Sequence, residues 1–490
     1  MIVLGVVVGL SEATAFGAST AAAPCFTNHF DTNHPVIGVL PATSGNIFYL
    51  GEAVTITSSV PVEVYRLIYG GAVSLVINHA SPVTLGNLGA GHYFVQSARD
   101  RNEFVVLPSD YSTLNNVGHD DYYALVSPEI ALREPRVKFG WVRPVLHWSN
   151  IQTSNGGTFN WDARWNGVTE DTNLTYWIGK ERIALLVGQD VSWATKLPAS
   201  AWLTAYSNFL AAAYARYSNA IDAVQVLNEP YQPYVGNIAF RTSKPNNAAL
   251  EVATFKMAAA AFPHTTLIGP SEDTPNAVAR VADFAAAGGA ALVAALDYHD
   301  YTEKNGVASP ENADNGVVHQ ATANLAALHQ TKLYLTEAGI AGASALGWPS
   351  PPQQSEPSNP PYNWYRGMTR AMKVAILYQQ FRAIIFAGSL NGDNNEDAGF
   401  DPNGGIKPKT SAFLMTEYWL NNATPVRNWT NGNLHCAAFI WGGQTNTFLW
   451  SSEGTQTLVK LGTFVSDIWS NQWTGSITEE PVIAWRWPTR

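Results

Sequence analysis

Two carboxylates sit where they could do chemistry. One is in Val224-Gln-Val-Leu-Asn228-Glu229-Pro230, the other in Leu333-Tyr-Leu-Thr-Glu337-Ala338-Gly339. Each closes a short apolar run of strand character. Two carboxyl groups can open an acetal without a metal. One protonates the leaving oxygen and the other attacks the anomeric carbon, provided their pKa values are pushed apart. Retaining glycoside hydrolysis asks for the pair about 5–5.5 Å apart across the scissile bond. Taken singly, each residue has a plainer reading. Glu229 suits a helix N-terminus ahead of Pro230 at its first position, where the helix dipole favours an acid. Glu337 suits a loop.

Other polar residues stand in similar places. Arg143 interrupts the apolar run Arg136–Leu146, so its charge must be buried and paired or point into a site. His147 and Trp148 end that run and are placed at the border of a substrate cleft. Asp297-Tyr298-His299-Asp300-Tyr301 closes another run, with His299 and Tyr301 as alternative hydrogen-bond donors. Gln189 and Asp190 end the third strand-like run, and Glu272 follows the fifth.

These residues need a frame, and the alternation of runs supplies one. From about residue 110 to 410, seven apolar runs alternate with helical stretches such as Ala199–Tyr217 and Ala248–Ala261. A weaker eighth run lies near Leu114–Gly118. Alternating strands and helices imply a parallel sheet with crossover helices. Eight such units make a (β/α)8 TIM barrel, an α/β fold whose active face is built at the C-terminal ends of the strands. On this count Glu229 ends strand four and Glu337 ends strand seven, separated by three units of about 36 residues. A doubly wound open sheet is the other reading, but no glycine-rich nucleotide fingerprint supports it.

The barrel is flanked. Residues 24–109 carry short Val-, Ile-, Tyr- and Thr-rich runs punctuated by Gly, Pro and Asn, the pattern of an N-terminal β-sandwich. Residues 411–490 turn β-like again and read as a small C-terminal β-domain. Tyr49, Tyr65, Tyr69 and Tyr93 offer the sandwich either a sugar-stacking platform or ordinary packing. Residues 1–23 combine the apolar run Ile2–Leu10 with a small-residue stretch, as in a secretory signal, although no basic residue precedes the run. A secreted or cell-surface protein is expected.

The 490 residues include only 13% charged residues, with 28 basic against 38 acidic and a net charge of −10. Nucleic acid and anionic membranes need a basic footprint, so neither is expected as a partner. A sparsely charged chain with 17 Trp suits a neutral polar ligand such as a carbohydrate, although a large core can equally be aromatic-rich. Two cysteines, Cys25 and Cys436, can make neither a zinc site nor a disulfide framework, and their pairing stays open. No cofactor or metal is expected, and the oligomeric state is not legible.

The paired motifs resemble those of the retaining (β/α)8 glycoside hydrolases of clan A. That group carries Asn-Glu-Pro at the end of strand four, here Asn228-Glu229-Pro230, and a nucleophilic Glu at the end of strand seven, here in Thr336-Glu337-Ala338-Gly339. The segment from Gly140-Trp-Val-Arg-Pro to Asn160-Trp-Asp162 is similar to the second-strand region of family 39 and family 5 members. The resemblance implies that Glu229 is the acid/base, Glu337 the nucleophile and Asn228 a ligand of the sugar 2-hydroxyl. It also implies that Arg143 keeps Glu337 ionised, and that His299 or Tyr301 donates to Glu337. The strand-eight Trp common in the clan is missing from Ile384–Asn391, leaving Phe386, Trp348 or Trp364 to floor the sugar site. The activity implied is cleavage of β-linked glucan, xylan or mannan. A non-catalytic carbohydrate-binding protein and a transglycosylase are the alternatives.

Overall fold

The computed structural model describes residues 37–121, 136–230, 248–300, 317–338, 364–387 and 406–485, apart from 72, 98–100, 166, 188–190, 192, 195–196, 274–276, 453–456, 459–463 and 474–475. Its centre is a closed barrel of eight parallel strands. In chain order these are Leu114–Asp121, Phe139–Leu146, Arg182–Val187, Ala223–Gln225, Thr266–Asp273, Ala295–Asp300, Leu333–Ala338 and Ile384–Ala387. The last pairs with the first and completes the ring.

The strands read as near-continuous apolar runs because both faces are covered. Outward residues such as Val142, Leu146, Val224, Leu296 and Leu335 join a large core under the helices. The helix Ala199–Tyr217 buries Trp202, Tyr206, Phe209, Leu210, Ala213 and Tyr217, one stripe at helical spacing. Inward residues fill the barrel itself. Trp141, Tyr334, Ile384 and Phe386 pack with the small Ala184, Ala223 and Ala295. Large and small side chains are thus combined in the barrel interior, as close packing requires.

Gly118 belongs to that layer. A Cβ there would lie 2.5 Å from a Phe386 ring carbon and 2.9 Å from the Trp141 Cβ. Neither ring has room to retreat, so Gly118→Ala is expected to cost about 1–3 kcal/mol. A thermal melt checks this, and an unchanged midpoint would refute the packing described.

The N-terminal region forms two sheets, one of three strands and one of five, enclosing Phe48, Val54, Ile56, Val62, Val64, Tyr93, Val95 and Phe104. The four tyrosines are engaged in packing or hydrogen bonds. Tyr93 is buried and stacks on Phe104. Tyr69 packs edge-on against Trp473 of the C-terminal domain, and its hydroxyl accepts from the Thr478 N–H at 2.9 Å. Tyr49 lies under the Arg136 guanidinium and donates to the Arg136 carbonyl. Tyr65 donates to Glu63 on its own strand.

The C-terminal domain is built on a five-stranded sheet. The boundary read at 410 falls inside the helix Pro408–Leu420, which packs against the barrel helix Trp364–Gln379. Cys436 is buried and free, and burial pushes its thiol up to about 12. Cys25 lies outside the described residues. Among the described residues, no helix is long and apolar enough to cross a membrane.

Candidate active site

Strand alternation lifts a polar layer above the apolar one. On strand two, Trp141 points inward and Arg143, two residues on, stands above it. On strand four, Ala223 points inward and Gln225 stands above it. On strand six the sequence is Ala295, Asp297, His299. Strand five breaks the rule. Ile268 points inward, and strict alternation would turn Ser271 out. A register shift between them turns Ser271 into the barrel instead. A second shift, between Tyr298 and His299, sets Glu337 beside His299 and so lets consecutive residues Thr336 and Glu337 both reach the interior.

Glu229 and Glu337 meet at the mouth of this layer. Together with His299 they offer one donor atom each, all within 4.8 Å of one another. Glu229 is buried, and Glu337 keeps 17% of its side chain exposed. The Arg143 Nη2 donates to the Glu337 Oε1 at 2.9 Å and to the Asn228 Oδ1 at 2.7 Å, while its Nε donates to the Gln225 Oε1 at 2.6 Å. Gln225 returns its amide to the Asn228 Oδ1 at 3.2 Å. The Asn228 oxygen therefore takes two donors, which leaves its Nδ2 to bond a ligand.

His299 lies between the two glutamates. Its Nδ1 is 2.7 Å from the Glu229 Oε1 and 3.4 Å from the Glu337 Oε2. The shorter contact is thus to Glu229, not to Glu337. Burial alone would lower the imidazole pKa, but Glu337, Glu229 and Asp297 outweigh it and hold His299 at about 9. Burial raises the Asp297 pKa, opposed by His299, the Thr336 hydroxyl, Arg143 and Ser271. The trio of Glu229, His299 and Glu337 has the spacing of a cation site. A cation bound there would have to displace the Nδ1 proton of His299, since a ring nitrogen ligates only when deprotonated.

The backbone at Glu229 is unusual. Its φ of +41° lies in the left-handed region, a position that costs a non-glycine residue about 1–3 kcal/mol. The surroundings hold it there. The Tyr206 hydroxyl lies 2.6 Å from the Val226 carbonyl and 3.0 Å from that of Val187, tying the ends of strands three and four to one helix.

This fold has a close counterpart among solved structures. A family 39 glycoside hydrolase from the gut symbiont Bacteroides cellulosilyticus WH2 superposes with a TM-score of 0.62 at 13% identity, over 92% of this chain and 100% of that one. The two share a fold. The catalytic domain of xylanase C, a family 30 enzyme from Talaromyces cellulolyticus, scores 0.48 at 14% identity, over 76% of this chain and 96% of its own. No family model matches the chain, and no curated protein matches it in sequence.

The other residues singled out in the sequence are placed differently. His147 ends strand two, where its ring stacks on Trp165 at 4.5 Å and its Nδ1 lies 3.1 Å from the Glu170 Oε1. Trp148 does not border the cleft. It begins a short helix that turns its indole outward, fully buried, to stack on Phe209 and meet Trp193, Trp202 and Tyr206. Phe386 fills the apolar barrel layer below the glutamates and so offers no sugar floor. Tyr301, Gln189, Asp190 and Trp348 lie outside the described residues, as do the side chains of Glu272 and Trp364.

Gln225, Ser271 and Glu170 belong to the polar framework and were not legible as site residues. Gln225 had a usable signal, a lone amide in an apolar run three residues before Asn228. Ser271 had none, because a register shift decides its direction.

Proposed function

We propose that the protein is a retaining glycoside hydrolase acting on a β-linked polysaccharide or oligosaccharide of the glucan, xylan or mannan class. The observation that carries this reading is the approach of the Glu229 and Glu337 carboxylates to within 4.8 Å at the C-terminal mouth of the barrel. That spacing suits double displacement and leaves no room for the water that an inverting pair holds between its carboxylates.

In the first step Glu337 attacks the anomeric carbon. The Arg143 guanidinium on its Oε1 keeps it ionised. Glu229 gives a proton to the leaving oxygen. His299 occupies the Glu229 Oε1, so the transferable proton belongs on Oε2. In the second step Glu229 takes a proton from water, which opens the glycosyl–Glu337 ester. Asn228 presents its Nδ2 to the sugar 2-hydroxyl, a contact that tightens in the transition state. The apolar run Ile2–Leu10 supports a secreted or cell-surface location.

The test is a screen of β-glucans, xylan, mannan and aryl β-glycosides, with the first-released anomer followed by proton NMR. Release of the β-anomer is the expected result. Release of the α-anomer would overturn the double displacement. Binding without cleavage would make the barrel a carbohydrate-binding scaffold, and transfer to an added acceptor sugar in preference to water would make the protein a transglycosylase.

A further inference from the structure

A run of hydrogen bonds beneath the two glutamates links them by a second route. Arg143 donates to the Gln225 Oε1, and as a pure donor it fixes which way that amide faces. The Gln225 Nε2 must then donate, and it does so to the Ser271 Oγ at 3.0 Å. The same oxygen is 3.0 Å from the His299 Nε2. With one of its two lone pairs engaged by Gln225, the hydroxyl has the other left for His299. It can therefore accept a proton from Nε2.

We propose that Ser271, oriented by Gln225, is a positioning residue that holds His299 in its doubly protonated form, with the Nδ1–H directed at the Glu229 and Glu337 oxygens. This role rests on the glycosidase reading for its effect on turnover, but not for its effect on the imidazole. The charged groups facing His299 are Glu229 after strand four, Glu337 on strand seven, Asp297 on its own strand and Arg143 on strand two. Three of the four are anionic when ionised, and His299 answers them with one cation. Its elevated pKa agrees with that balance. The Ser271 Oγ meets the far nitrogen at 3.0 Å in a fully buried place, so the hydroxyl helps to satisfy that N–H.

Ser271→Ala removes the acceptor. A buried N–H without a partner disfavours the protonated ring, so His299 should titrate at lower pH. Both glutamates then lose a neighbouring cation. Both limbs of the pH profile of kcat/KM should therefore move to higher pH, by about half a unit or more. Ser271→Thr keeps the hydroxyl and should restore the profile.

The direct readout is the imidazole nitrogen-15 titration of His299 in the wild-type protein and in Ser271→Ala, which needs no substrate. Expected is a ring protonated on both nitrogens at pH 7 in the wild type, with a lower titration midpoint in the variant. Equal midpoints in the two proteins would overturn the proposal, as would a wild-type His299 that is neutral at pH 7. A fall in kcat or melting temperature with the profile unmoved would reduce Ser271 to a packing role. If Ser271→Ala does not fold, Ser271→Cys, a weaker acceptor, takes its place under the same criteria. A shifted imidazole with no glycoside cleaved would keep this inference and sink the glycosidase.

Discussion

Glu337→Ala is expected to lower kcat/KM by at least about four orders of magnitude on any glycoside the protein cleaves. On the proposed double displacement, no glycosyl–enzyme ester can form without that carboxylate, and the neighbouring groups offer no substitute. Arg143 is a cation and His299 a protonated ring. The space vacated by the side chain opens onto the cleft, since Glu337 is the more exposed of the two glutamates. Azide entering there should restore turnover and give a glycosyl azide of inverted configuration. Glu229→Ala should behave differently. Loss of a general acid costs about 10²–10⁴-fold, and the deficit should shrink for an aryl leaving group that needs no proton. Kinetics on a phenyl glycoside and an activated nitrophenyl glycoside separate the two. Equal leaving-group dependence in both variants, or an active Glu337→Ala, would dismiss the assignment of roles.

The second large effect is expected at Arg143. Its side chain is fully buried and ties together Gln225, Asn228 and Glu337. Arg143→Met would strand a part-buried carboxylate and two buried amide oxygens that had been accepting its hydrogen bonds. Breaking a buried ion pair on one side costs about 3–5 kcal/mol. The expected result is a markedly lower melting temperature together with loss of activity. Arg143→Lys keeps the charge but not the fork, so it cannot serve three acceptors in one plane. It should retain more of the stability than of the activity. Pairing Arg143→Met with Glu337→Gln gives a double-mutant cycle. Neutralising Glu337 should relieve part of the destabilisation, and strictly additive losses would show that the two residues are not coupled.

The barrel was legible because its strands are buried on both faces. A run such as Arg182–Val187 declares itself by composition, and even the weak first run near Leu114 falls where strand one lies. Side-chain direction was legible only where the two-residue alternation holds. Trp141 and Arg143 obey it. Ser271 and Glu337 depend on register shifts, which composition does not reveal. Trp148 misled because an aromatic at a strand end suits a sugar cleft and a helix-packing core equally well. Here the chain turns into a helix at once and carries the indole behind the strand. His299 showed the opposite difficulty. Its place on strand six was readable, but its choice of Glu229 over Glu337 is a matter of fractions of an ångström.

The contact between the first and last domains has a consequence for the molecule as a mechanical object. Arg66 reaches Asn471, Tyr69 bonds Thr478, and the Gly70 N–H donates to the Glu480 carboxylate at 2.7 Å. The barrel also shares one apolar cluster with Ile47, Leu67 and Phe94 on one side and with Phe439, Trp450 and Ile483 on the other. The two flanking domains are therefore fastened to each other, like a buckle closing a strap of which the barrel is the middle. A cut in a barrel loop severs the strap but leaves the buckle closed. The two pieces stay at high effective concentration, so peptide-bond continuity is not the only thing that keeps Glu229 and Glu337 in the same molecule.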